Sequence, residues 1–275
     1  MKKALIVQGG WDGHEPVQVS QRFARLLREK GFEVEVSDTL DAFLDVEKLK
    51  SLHLIVSCWT MGSITREQLG PVLEAVASGV GLAGCHGGMC DSFRNETEWQ
   101  FMTGGQWVAH PGNDGTPYRV YIKKNASSPI VEGLDDFDVR SEQYYVHVDP
   151  AVNVLATTRF PVAKGYYTTN GAVDVPVIWT KMWGYGRVFY SSLGHHDDVF
   201  DIPEAPLRLE AVRQGPQSER SLDVSVVLDL MIHDLDLALA LSPAEPLAVE
   251  AEGVSAYSGG WDQVSAEVTF ANGFT

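Results

Sequence analysis

Histidine is the residue whose placement most suggests chemistry in this chain. His14 ends Gly9-Gly-Trp-Asp-Gly-His14, and His86 sits inside Gly84-Cys-His-Gly-Gly88. His110 ends Gly104-Gly-Gln-Trp-Val-Ala-His110, and His147 ends Ser141-Glu-Gln-Tyr-Tyr-Val-His147. His195 precedes His196-Asp-Asp198. A lone histidine is ordinarily a satisfied structural residue, but several in glycine-rich loops after strands can converge. Imidazole titrates near neutrality and suits general acid–base work. The expected chemistry is proton transfer on a sugar, such as isomerisation or epimerisation next to a carbonyl. His86 is the expected central base or acid. His14, His110 and His147 would position hydroxyls or share the proton, and Glu142 would orient a histidine. Aromatic rings beside amide and carboxylate groups suit sugar faces and hydroxyls. Trp11, Asp12, Trp59, Gly87, Tyr144, Tyr145 and His195 are the candidates for touching such a substrate.

Two other chemistries compete. The small residues around positions 84–88 allow a sharp strand-to-helix elbow that thrusts one side chain into a cleft. With Gly84 and Gly88 as flanks the apex is His86; with Ala83 and Gly87 it is Cys85, a conceivable thiolate nucleophile. In the second register Cys85, His195 and Asp197 would form a triad for hydrolysis or amide transfer. A module that binds carbohydrate without catalysis is the third reading. No cofactor is expected, since Trp11 stands where GxGxxG needs its second glycine. The first glycine segment also reads as a plain tight turn. Histidines with Glu142 could hold a divalent metal, but no HExxH or comparable spacing supports one, so none is expected.

The elements that must carry these groups alternate as βαβαβαβ up to about Gly88. Ala4–Gln8 reads as a buried strand, and Pro16 to Lys30 as a helix with Val19, Phe23, Leu26 and Leu27 at helical spacing and Gly31 as its stop. Phe32–Val36, Leu52–Cys58 and Val80–Cys85 read as strands. A short charged helix is expected around Asp45–Lys50, and another from Thr65 to before Gly79. Strands separated by helices pair in parallel, with helices on both faces of an open sheet, and ligands sit beyond the strands' carboxyl ends. The loops at 9–14, 59–62 and 84–88 should therefore meet. Beyond Gly88, a helix is expected over Met89–Gly104. Strands are expected at Tyr118–Lys123, Val152–Thr157, Val175–Lys181 and Arg187–Ser192. After Pro203–Pro206 a strand at Leu207–Arg213, an apolar helix over Asp223–Leu241, and strands at Leu247–Ala251 and Val264–Phe270 are expected.

The chain has 275 residues, about two domains' worth. A formal charge of -16 repels phosphate backbones, which argues against nucleic-acid binding. No apolar run approaches the roughly 20 residues that span a bilayer, and Ala4–Val7 is too short for a signal peptide. Three cysteines without CxxC spacing imply neither a disulfide framework nor a zinc ribbon. A cytoplasmic protein is expected.

The histidine segments just quoted, together with Gly186-Arg-Val-Phe-Tyr-Ser-Ser-Leu-Gly-His195, resemble the ThuA-like (trehalose utilisation) family over about residues 1–205. That resemblance implies an α/β fold related to the flavodoxin-like, class I glutamine amidotransferase-like sheet. It favours His86 where amidotransferases place their cysteine, and so implies loss of glutaminase chemistry. It also implies a role in disaccharide or keto-sugar utilisation. Residues 206–275 resemble a truncated fragment of the substrate domain of Gfo/Idh/MocA oxidoreductases, a small α+β unit. Its Asp-x-x-x-His pair falls on Asp229 and His233, on one helix face. The nucleotide-binding half is missing, so this part is expected to be non-catalytic, with its apolar helix a candidate surface for homo-oligomer contact. The expected partner is a small carbohydrate, with neither nucleic acid nor membrane.

Overall fold

The computed structural model describes residues 2–124, 126, 128–201, 246–254 and 263–270. The chain divides into two compact units, Met1–Glu210 and Ala211–Thr275. In the first unit the chain runs β1 (Lys2–Gly10), α1 (Pro16–Glu29), β2 (Phe32–Ser37), α2 (Val46–Lys50), β3 (Leu54–Thr60), α3 (Arg66–Ala77) and β4 (Gly81–Cys85). Next come α4 (Gly87–Cys90), α5 (Thr97–Thr103), β5 (Gly105–Ala109), β6 (Thr116–Ile122), β7 (Phe137–Ser141) and β8 (Tyr145–Val148). It closes with β9 (Asn153–Phe160), β10 (Val173–Trp183) and β11 (Gly186–Ser191). In the second unit β12 (Pro246–Val254) and β13 (Gln263–Phe270) form an antiparallel pair with Val249 opposite Val268. The strand expected at Leu207–Arg213, the helix over Asp223–Leu241, and Asp229 and His233 lie outside the described residues.

The main sheet has nine strands in the order β2-β1-β3-β4-β11-β10-β9-β6-β7. From β2 to β11 it is parallel, as the alternating βα pattern predicts. Beyond β11 it continues through antiparallel strands. Period-two alternation splits β1 between two cores. Ala4 and Ile6 pack with Val19, Ala24 and Leu27 of α1, whereas Leu5 and Val7 face Leu69, Val72 and Val76 of α3. Helices thus cover both faces, and each fully buried aliphatic side chain contributes about 1.5–3 kcal/mol. Thr65 opens α3 through a capping box with Gln68.

Two departures from expectation matter for the site. The helix expected over Met89–Gly104 is two helices, broken after Cys90. There the carbonyls of Asp91 and Ser92 accept from the amides of Met61 and Gly62, and Asp91 pairs with Arg94. These bonds serve the loop after β3 and cannot be made from within a helix. Second, β5 and β8 form a separate two-stranded antiparallel sheet with Gln106 opposite His147. It presents His110 just after β5, and the Glu142–Tyr144 linker just before β8.

Candidate active site

The elbow after β4 is settled by its backbone. His86 has φ 48 and ψ −138 and directly precedes α4, so it is the apex. A non-glycine residue there stores about 1–3 kcal/mol of strain, which surrounding bonds must hold. The His86 amide donates to the Ser191 carbonyl at 2.7 Å, and the Tyr190 hydroxyl donates to the His86 carbonyl at 3.1 Å. The Tyr144 ring stacks on the imidazole with centroids 4.0 Å apart. His86 Nδ1 lies 2.8 Å from the Ser192 carbonyl oxygen, which can only accept, so this nitrogen carries the proton. Its Nε2 lies 3.1 Å from Glu142 Oε2.

Glu142 is the hub. The same Oε2 stands 3.3 Å from His195 Nδ1 and 3.3 Å from His110 Nδ1, and His195 Nδ1 is 3.3 Å from His86 Nε2. The linker holding Glu142 is pinned on both sides. The Tyr118 hydroxyl donates to the Glu142 carbonyl at 3.1 Å. Fully buried Gln143 donates to Thr158 Oγ1 and the Arg159 carbonyl and accepts from the Val162 amide. His14, on a 3-10 turn after β1, places Nδ1 3.0 Å from Thr60 Oγ1 and its ring edge-on to His86 and His195. Trp107 donates its indole N–H to His110 Nδ1 at 3.3 Å.

Burial governs the charges. It drives His14 down to about 3, with help from the neighbouring imidazoles, and it lowers His86 against the pull of Glu142 and Ser192. Burial alone would raise Glu142, but the adjoining imidazoles of His195 and His86 outweigh it and hold the carboxyl well below the usual range. For His195, too, burial opposes the charged form, and the bond to Glu142 wins and raises it.

The structure brings His14, His86, His110, Glu142 and His195 together, with Gly87 and Tyr144 against them. It does not bring His147. Tyr145 and His147 share one face of β8, opposite the buried Val146; His147 is exposed, and Tyr145 packs on Phe160. Trp11 is 46% exposed and meets His14 edge-on, which puts it on the rim. Asp12 is exposed, and Trp59 packs against Gly9 and Gly62. The cysteine triad is not assembled. Cys85 is the last residue of β4, buried in the apolar layer beneath α1, and burial pushes its thiol up to about 12. Asp197 is held by Arg22 through two bonds of 2.7 Å. His86 itself is only 1% exposed with Nδ1 committed, so a sugar carbon cannot reach it. His110, with 31% of its side chain exposed, is the histidine at the mouth. Sequence reasoning gave His195 a substrate-contact role, or a place in the cysteine triad, and passed over Thr60, Gln143 and Tyr190. The sequence hints for His195 were its position just past a strand and a glycine, and the His-x-Asp spacing to Asp197.

A family model described as ThuA, trehalose utilisation, matches residues 3–211. Among solved structures, a ThuA-like protein from Bacteroides uniformis is 21% identical with a TM-score of 0.60, covering 75% of this chain and 87% of that one. A ThuA-like protein from Parabacteroides merdae is 20% identical with a TM-score of 0.53, covering 70% of this chain and 80% of that one. At such identities the likeness is one of fold. A UDP-N-acetylglucosamine 3-dehydrogenase from Acidithiobacillus ferrooxidans is 52% identical over 69 residues, which are 25% of this chain and 22% of the dehydrogenase. The chain therefore spans about a fifth of that curated relative's length.

Proposed function

This chain belongs to the ThuA, trehalose utilisation, family, and on that premise we propose that it is a carbohydrate-utilisation enzyme that isomerises or epimerises a keto-sugar by moving a proton next to its carbonyl. The observation that carries this reading is the half-exposed His110 ring set 3.3 Å from the buried carboxylate of Glu142, at the mouth of a closed histidine cluster. The exposed Trp11 and the half-buried Trp107 beside His110 suit the apolar faces of a sugar ring. As the base, His110 carries its own proton on Nδ1, gives up the Trp107 bond to donate to Glu142 Oε2 at 3.3 Å, and takes the substrate proton on Nε2. It removes the proton alpha to the carbonyl to form an enediolate and returns it to the neighbouring carbon, while His195 and Glu142 shuttle the hydroxyl proton. The 69-residue likeness to an enzyme named as a sugar-nucleotide 3-dehydrogenase supports an oxidised sugar as the substrate.

The test is incubation with oxidised and unoxidised disaccharides in D2O, read by mass spectrometry and NMR. Deuterium at the carbon beside the carbonyl, with a new isomer, is expected for the oxidised sugar alone. His110→Gln should slow exchange by about 10²–10⁴-fold. Saturable binding without any exchange would overturn the reading in favour of a binding module.

A further inference from the structure

The four innermost groups pose a donor–acceptor problem. His86 Nδ1 donates to the Ser192 carbonyl, so in the neutral ring Nε2 is a lone pair aimed at Glu142 Oε2, which is also only an acceptor when ionised. His195 Nδ1 faces both of these atoms at 3.3 Å and holds at most one proton between them. Two buried acceptors 3.1 Å apart need a shared cation, either a proton on His86 Nε2 or a metal ion. A second observation agrees. Nitrogen or oxygen ligands bound at about 2.0–2.1 Å around a tetrahedral ion lie about 3.3–3.4 Å from one another. The three contacts here are 3.1, 3.3 and 3.3 Å, and the donor atoms of His14, His86, Glu142 and His195 all lie within 4.8 Å of each other.

We propose that His14, His86, Glu142 and His195 ligate one divalent transition-metal ion, zinc in the first instance. The donor set is imidazole and carboxylate without thiolate, which suits zinc and its first-row neighbours. The outer contacts also fit a metal centre. His86 Nδ1 is anchored to a backbone carbonyl and His14 Nδ1 to Thr60 Oγ1, which leaves Nε2 of each ring for the ion and fixes its tautomer. The sequence offers no motif for this because each ligand is more than 50 residues from the next. Any polarising of a substrate carbonyl would need the ion to take a fifth ligand and rests on the proposed function; its binding does not.

The experiment is metal analysis of the full chain as purified, then after chelation, with Co²⁺ added back and read by visible absorption and thermal unfolding. About one equivalent of zinc per chain is expected, with Co²⁺ giving the intense d–d bands of a four- or five-coordinate site and raising the Tm. Thr60→Val should weaken binding about 10–100-fold while folding normally, and His147→Ala should not change it. A chelated chain that binds neither Zn²⁺ nor Co²⁺ at micromolar levels overturns the proposal. So does Co²⁺ bound with a six-coordinate, oxygen-only spectrum, or binding untouched by both Thr60→Val and His195→Gln. Metal bound without deuterium exchange keeps the ion and removes the sugar reading; exchange undiminished in the metal-free chain keeps the sugar reading and removes the ion from its chemistry.

Discussion

Gly87→Ala should displace His14 without unfolding the protein. A Cβ on Gly87 would lie 2.5 Å from His14 Cε1, 2.7 Å from its Nδ1 and 2.9 Å from Thr60 Cγ2. Ordinary contact begins at 3.4 Å, so the ring must withdraw by roughly 1 Å, an overpacking cost of about 1–3 kcal/mol. The backbone at Gly87 is helical, and alanine there recovers up to about 1 kcal/mol of helix propensity. The net loss is about 0–2 kcal/mol, a Tm drop of no more than roughly 8 °C for a unit of this size. A misplacement of about 1 Å within a reacting constellation costs on the order of 10²-fold in rate. Deuterium exchange into the keto-sugar should therefore fall about 100-fold while circular dichroism stays native. Gly70→Ala is the control: nothing lies within 4 Å of its Cβ, and on exposed α3 it should be neutral or stabilising by up to about 1 kcal/mol. Exchange within threefold of wild type for Gly87→Ala, with His14 shown by crystallography to have moved, would refute the claim that this ring belongs to the working site.

Two further outcomes follow from burial and charge. All three cysteines are buried, and Cys85 needs a pH near 12 to ionise, so iodoacetamide at neutral pH should label none in the native chain and all three after denaturation. Native labelling of Cys85 with loss of turnover would return the thiol to the mechanism. Asp149 is held below the usual carboxylate range chiefly by its hydrogen bond from Lys181, at 2.6 Å. A lowered folded pKa stabilises above the unfolded value, near 3.9, and that stability is lost as pH falls through the lowered one. Lys181→Met should thus show its full deficit in urea unfolding at neutral pH and a smaller one below about pH 4; a deficit independent of pH would count against the pair.

Much of the parallel half was legible because its signals are local. The apolar spacing of Val19 and Leu27, the Thr65 cap and the buried run Ala4–Val7 each declare their element within one turn or strand. The elbow was legible too, although only its backbone could decide between Cys85 and His86. What stayed hidden depends on contacts distant in sequence. The pairing of β5 with β8 joins segments some forty residues apart, and it brings His110 to Glu142. The aromatic and histidine residues of Tyr144-Tyr-Val-His147 look equivalent as text, but strand alternation sends His147 to solvent and leaves Tyr144 over His86. Gln143, indistinguishable in the sequence from any surface amide, is fully buried and pins the linker.

The pairing of β4 with β11 reaches beyond the residues it joins. Ser191 sits opposite Cys85, so both chains quit the sheet at the same height, and His86 and His195 are launched side by side. Everything between them, from α4 to β10, is a single long excursion whose length does not enter that alignment. Loops within the excursion can grow or shrink and recast the entrance for a different guest, while the spacing of the two rings stays fixed by one hydrogen-bond ladder.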